Sequence, residues 1–394
     1  MGPVIALIDG EHHPPAVRDA LDELEREREI AGLIFCGGEE KLPDRPLGEL
    51  YGRSVQAGDV EQALRALAPA ARAVVELADE PVLPAHAKLE LAALALHLGL
   101  VYESPGLLLS PPRYSPVAFD GPTLAVIGSA KRTGKTALAG HWARLLAERD
   151  PVIVCMGRGG PAEPVVAQPE TSLDDLLALA AAGRHAASDY LEDAVLAGVR
   201  SVGCRRVGGG LAGEPAHSNV PAGAALAATL APGVLIFEGS GACIPPVQTA
   251  RTVCVVGPGE PEPLVRYRLL RADLVAAHAS APAPADALRF TLRPEPVEPV
   301  PAGARVALFT TGADHCEGVE AAVVSTNLAR RGALGADLDR AVAEGCDVWL
   351  TELKAAAIDG VAVRARQEGA RLILVRNRPL GLDDALLELY RDAC

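Results

Sequence analysis

Leu124-Ala125-Val126-Ile127-Gly128-Ser129-Ala130-Lys131-Arg132-Thr133-Gly134-Lys135-Thr136 carries a buried-strand pattern straight into a Gly-Lys-Thr turn, and the helical stretch from Ala137 to Glu148 follows. Strand, glycine turn and helix in that order are the context a phosphate-binding loop requires. The turn leaves backbone N–H groups pointing inward as an anion nest, at the positive end of the next helix. Lys135 is then expected to reach the β- and γ-phosphates of ATP, and the Thr136 hydroxyl to ligate Mg²⁺. Lys131, Arg132, Thr133, Gly134, Lys135, Thr136 and Ala137 form the expected nucleotide-binding run. Lys131 and Arg132 add two positive charges at its mouth.

Gly128 lies one residue earlier than the common Gly-x4-Gly-Lys-Thr spacing places it, and Ser129 takes the standard position. This longer form resembles the loop of dethiobiotin synthetase and its relatives, mostly ligases in which ATP activates an acidic group. The partition ATPases of that superfamily carry a lysine four residues before the second glycine, where this chain has Ala130. A second apolar strand, Val234-Leu235-Ile236-Phe237, ends in Glu238-Gly239-Ser240-Gly241. It resembles the Glu-Gly-Ala-Gly of the same enzymes. A carboxylate at a strand tip beside the phosphate loop is placed to hold Mg²⁺ with Thr136, directly or through water. The competing reading is a strand-end glutamate facing water.

Composition narrows the class. A length of 394 residues suggests two to three domains at roughly 150 residues each. Apolar residues make up 49% and aromatics only 3%, so the cores must be built from Ala, Val and Leu. The net charge of −14 argues against a nucleic-acid surface. Against that global acidity the phosphate loop is locally basic, which suits an anionic small molecule. The eight cysteines show no Cys-x2-Cys pair and no zinc spacing. Reduced thiols, and the lack of a signal-like start or a bilayer-length apolar run, lead us to expect a cytoplasmic protein with no membrane partner. Composition leaves the oligomeric state open, a homodimer included.

Strand-like and helix-like segments alternate along the whole chain. The expected fold class is α/β: a central P-loop NTPase domain with a mostly parallel sheet, flanked by an N-terminal α/β domain and a small C-terminal α/β unit. The expected boundaries are 1–117, 118–285 and 300–394. Proline-rich linkers are expected at 104–122 and 281–303.

Further loops carry anion chemistry. Met156-Gly157-Arg158-Gly159-Gly160-Pro161 surrounds one arginine with three glycines, allowing close backbone approach to an anion and a bidentate clamp by Arg158. Glu163 follows where a second magnesium-associated carboxylate is useful. An ordinary glycine-rich turn is the alternative. Gly183 to Asp193 contains His185, Ser188 and Asp189; His185 can pair with a phosphate or move a proton, and Ser188 and Asp189 can cap a helix or meet an anion. Arg205 and Arg206 end another strand ahead of a triple glycine. Open parallel sheets bind ligands at the carboxyl ends of their strands. The phosphate loop, Arg158, Arg205, Arg206 and Glu238 should therefore meet on one rim. Ile8-Asp9-Gly10-Glu11-His12-His13 ends the first strand; its adjacent histidines make a metal site only with a third ligand. Lys354, in Thr351-Glu352-Leu353-Lys354, sits at a helix start against the dipole, as a placed cation would; a solvated surface lysine is the alternative.

Taken together, Lys131 to Thr136, Met-Gly-Arg-Gly-Gly-Pro at 156–161, His-Ala-Ala-Ser-Asp at 185–189, Ile-Asp-Gly-Glu-His at 8–12 and Glu-Leu-Lys-Ala-Ala-Ala at 352–357 resemble the cyclic 2,3-diphosphoglycerate synthetase family. The resemblance is spread over nearly the whole chain. It implies an ATP- and Mg²⁺-dependent ligase acting on a small phosphorylated acid, with release of ADP and phosphate. It also implies catalytic roles for Lys135, Lys131, Arg132, Arg158 and His185. The acceptor would be met by Arg158, Gly159, Gly160, His185, Ser188, Asp189, Arg205, Arg206, Lys354 and His12. Metal would be held by Thr136, Glu238 and Glu163. The rival readings are another ligase of the dethiobiotin synthetase type and a regulatory nucleotide switch.

Overall fold

The structure is a computed structural model describing residues 2–394. The chain divides into two units. One comprises residues up to Arg113 together with Glu262–Arg271; the other comprises Tyr114–Pro261 and Ala272–Cys394.

The first unit is built on six strands: β1 (Val4–Ile8), β2 (Ile30–Phe35), β3 (Val55–Gln56), β4 (Ala73–Glu76), β5 (Val101–Ser104) and β6 (Leu107–Leu109). They lie in the order β3-β2-β1-β4-β5-β6, all parallel save the antiparallel pair β5–β6. Every residue of β1 is buried, because helices cover both faces of a doubly wound sheet. The strand order reverses between β1 and β4, and Asp9 ends β1 there. Its fully buried carboxylate accepts the N–H groups of Glu11, His12 and Asp79, which fixes both strand-tip loops. The helix Val265–Arg271 packs in this unit against the helix Ala85–His97. Arg266 pairs there with Glu61 and Glu90.

The second unit has one thirteen-stranded sheet. Its first half holds β7 (Thr123–Gly128), β8 (Pro151–Gly157), β9 (Val165–Ala167), β10 (Arg200–Val207), β11 (His217–Ser218), β12 (Val234–Glu238), β13 (Arg251–Val256) and β14 (Leu274–His278). The remainder are β15 (Leu288–Pro296), β16 (Val306–Phe309), β17 (Ala321–Ser325), β18 (Val348–Glu352) and β19 (Arg371–Leu380). The order is β11-β10-β8-β12-β7-β13-β14-β15-β19-β18-β16-β17, with β9 also on β10. The phosphate-loop strand β7 is central, between β12 and β13.

The linker expected at 281–303 is instead occupied by β15. Residues 288–290 of β15 pair with β14 in parallel, and residues 291–296 pair with β19 antiparallel. Pro294 and Pro296 fall beyond the part bonded to β14, where a missing N–H breaks no ladder on that side. This strand carries the sheet from the phosphate-loop half into the C-terminal half. A shared core follows. Trp142, on the helix Lys135–Leu145 after the phosphate loop, is fully buried and donates its indole N–H to the Leu386 carbonyl at 3.0 Å. Leu353, Ile358, Leu382 and Leu386 join Leu124, Val126 and Leu138 in the same apolar cluster.

Candidate active site

A cavity of about 750 Å³ opens in the second unit, within the size range of small-molecule sites. One wall is the phosphate loop, residues Lys131–Thr136. Gly134 adopts φ 98°, and Arg132 is held at φ 60°. A positive φ is costly for a residue with a side chain and marks a backbone held in place by its surroundings. Gly128 has a separate reason to be glycine: a Cβ there would lie 2.9 Å from the Lys135 ammonium and 2.7 Å from the Thr133 hydroxyl. Lys135 donates to the Ala130 carbonyl at 2.9 Å and to the Thr133 hydroxyl at 3.3 Å. Its burial pulls its pKa down to about 8, against the pull of Glu238 and Asp189 in the other direction.

The tip of β12 faces the loop. The Thr136 hydroxyl donates to Glu238 Oε1 at 2.5 Å, while Glu238 Oε2 is buried without a hydrogen-bond partner. Burial first, then Asp193 and Asp189, push the Glu238 pKa well above the usual carboxylate range. Beside it, the Cys155 thiol donates to Asp193 at 3.0 Å. Sγ of Cys155 and one oxygen each of Asp193 and Glu238 lie within 4.8 Å of one another. An orphaned buried oxygen in a surplus of carboxylates is the environment a divalent cation would satisfy. Thr136 and Glu238 thus fit the group expected of them. Glu163 does not join them: it is exposed, and it does not line the cavity.

The same cavity is lined by Arg158, Gly159 and Gly160 after β8, and by His185, Ser188 and Asp189. Arg158 and His185 are exposed to the cavity. The expected capping by Ser188 is not made, since the helix Asp189–Glu192 has no side-chain cap bond. The Ser188 hydroxyl is instead buried without a partner, on the cavity lining. Gly160 packs so closely that a Cβ would fall 1.9 Å from the Cys204 carbonyl oxygen.

Arg205 and Arg206 part company, because successive strand residues point to opposite faces. Arg205 is exposed, and its backbone N–H donates to Asn219. Arg206 is buried and donates to the carbonyls of Gly208 and Ser240, which buttresses the loop after β12. Neither lines the cavity, and neither does Ala137. His12 belongs to the first unit, where its Nδ1 lies 2.8 Å from Asp9 and its Nε2 3.7 Å from Asp79. The hydrogen bond to Asp9 raises its pKa.

The C-terminal half supplies Lys354 and several groups the sequence reading missed: Leu292, Pro294, Thr311, Glu352 and Asn377. Glu352 is almost fully buried, accepts from the backbone and hydroxyl of Thr311 at 2.7 Å each, and accepts from Asn377 at 2.6 Å. Phosphate-directed cations, a metal-competent carboxylate pair and polar donors thus surround one space. That arrangement can hold a nucleoside triphosphate at one end and a second anion at the other.

The family models and the curated relatives agree on one family. Three models of cyclic 2,3-diphosphoglycerate synthetase match: the N-terminal domain over residues 3–110, the P-loop domain over 123–279 and the C-terminal domain over 296–378. The chain is 42% identical to the cyclic 2,3-diphosphoglycerate synthetase of Rubrobacter xylanophilus, over 98% of this chain and 97% of that one. It is 37% identical to the enzyme of Thermococcus gammatolerans, over 96% and 94% of the two chains. It is 33% identical to that of Methanothermobacter thermautotrophicus, over 98% and 94%. With all three domains matched in order and relatives aligned end to end, the chain belongs to the cyclic 2,3-diphosphoglycerate synthetase family.

Proposed function

We propose that this protein uses ATP to close 2,3-diphosphoglycerate into its cyclic intramolecular phosphoanhydride, releasing ADP and phosphate. The observation that carries the reading is a single cavity lined by two sets of anion-binding groups: Lys135 with Thr136 and Glu238, and Arg158, His185 and Lys354. The relatives' shared name points to the same acceptor.

The chemistry follows from charge. Two phosphates on adjacent carbons repel, so joining them needs activation and neutralisation. In the proposed course an oxygen of one acceptor phosphate attacks the γ-phosphorus of ATP, and ADP leaves. The other acceptor phosphate then attacks the substrate-side phosphorus of the new anhydride, and inorganic phosphate departs. Lys135, with the backbone N–H groups of the loop, offsets charge on the transferring group. Arg158 and Lys354 hold the acceptor phosphates close enough to react. Mg²⁺ would be held by Thr136 and Glu238, and would supply neutralisation of the nucleotide's phosphate charge. No protein nucleophile is needed. The thiol state of the cysteines suits a cytoplasmic setting.

The test is ³¹P NMR of a mixture of enzyme, ATP, Mg²⁺ and 2,3-diphosphoglycerate. A cyclic anhydride signal growing in step with ADP is the expected result; ADP and phosphate without it would overturn the reading. The acceptor assignment has its own check. Arg158→Ala and His185→Ala should each raise the acceptor KM or lower kcat by about tenfold, the scale of one charge-assisted contact. Calorimetric affinity for a non-hydrolysable ATP analogue should change little. Loss of analogue binding in both variants would move these residues to the nucleotide pocket.

A further inference from the structure

Glu192 has no part in the reaction as described above, yet its placement is specific. It ends the short helix Asp189–Glu192, which continues as a π-helix over Asp193–Ala197. Its side chain is 9% exposed, and Oε1 lies 3.2 Å from the Lys354 ammonium. Oε2 is buried with no hydrogen-bond partner. A buried carboxylate left half satisfied is costly, and structures keep such groups where something else depends on them.

Lys354 is equally specific. It follows β18 at the cavity wall, and its side chain keeps 29% exposure. Ala355, next to it, takes φ 50° with a side chain present, and a second π-helix begins at Ala357. Strained backbone and π-turns gather where a side chain must be aimed. The nearby Glu352 is committed to Thr311 and Asn377, so Glu192 is the carboxylate bonded to this lysine. Burial alone would lower the Lys354 pKa; Glu192 and then Glu352 more than offset that, and it stands above the ordinary lysine value.

We propose that Glu192 is a positioning residue: by gripping Lys354 from the phosphate-loop half of the sheet, it aims that ammonium at the acceptor's phosphate. An unheld lysine has four rotatable bonds and would lose them all on binding an anion. A lysine already anchored on one side has less to lose. The grip also ties the helix Asp189–Glu192 to the segment after β18, so the acceptor meets a formed site. The inference rests on the reading of Lys354 as an acceptor contact.

The test is a double-mutant cycle on the full chain. Glu192→Gln keeps the shape and removes the charge. It should raise the acceptor KM about tenfold, with kcat at saturating acceptor within about threefold and ATP-analogue affinity within about twofold. Glu192→Asp should recover part of the loss. The Glu192→Gln/Lys354→Ala double variant should match Lys354→Ala alone, since one residue acts through the other. An unchanged or lowered KM in Glu192→Gln, ATP affinity falling in step with the acceptor's, or additive losses in the double variant would each overturn the proposal. If Lys354→Ala itself leaves acceptor KM and the ratio of product to ADP unchanged, the Lys354 reading fails first, and that outcome is visible in the single variant.

Discussion

Lys135→Ala is expected to abolish measurable ATP-dependent turnover, a loss of at least ~10²-fold. Lys135 is 7% exposed, its ammonium folded over Gly128 and bonded to the Ala130 carbonyl and the Thr133 hydroxyl. It therefore sits inside the nest proposed to receive the β- and γ-phosphates, where solvent screens it little. A charge in that position is worth far more than one at the cavity mouth. Lys131 and Arg132, both exposed, should not replace it. Initial rates of ADP release, with and without acceptor, check this, beside calorimetric affinity for the ATP analogue. Circular dichroism and thermal unfolding should match the parent chain, because the alanine keeps a good helix former at the helix start. Turnover within about tenfold of the parent would show that the backbone nest alone supplies the electrostatics.

What could be read in the sequence was local. The strand before the phosphate loop and the strand ending in Glu238 declare themselves by apolar runs followed by glycine, and each lies within a residue of its expected place. Features that depend on distant partners did not show. Proline density at 281–303 suggested a linker, but β15 tolerates its prolines because half of the strand lacks a neighbour on one side. The helix Val265–Arg271 joins the first unit through Arg266 and its contacts with the helix Ala85–His97, which no pattern around residue 265 announces. The carboxylate cluster is similar: Asp189 was read as a cap or acceptor contact, Glu192 and Asp193 carry no signal in the sequence, and only the fold sets all three near Glu238. The split between Arg205 and Arg206 was legible in principle. Adjacent residues of one strand cannot both face a site, and that rule alone should have removed one of them.

Glu238→Gln is expected to separate activity from stability. In the parent chain Glu238 is 2% exposed, with one oxygen bonded to Thr136 and the other bare. Asp193, Asp189 and Glu192 all disfavour its charge. The amide keeps the shape and can still accept from Thr136, and its N–H₂ can donate to a neighbouring carboxylate. It also removes one ionisable group from a buried acidic cluster. Replacing such a group by a neutral isostere is often neutral or stabilising, so the midpoint of thermal unfolding should hold or rise. Turnover should nevertheless fall by ~10²-fold or more, the scale of losing a principal electrostatic group in a closed site. The reason is that an uncharged amide cannot compete with water for Mg²⁺ as a carboxylate does. The two readouts constrain each other. Lost turnover with a lowered unfolding midpoint would mean that Glu238 acts as a packing element of β12. Near-normal turnover at saturating Mg²⁺ would remove the tip of β12 from the metal site and leave its buried, half-satisfied carboxylate without a chemical reason.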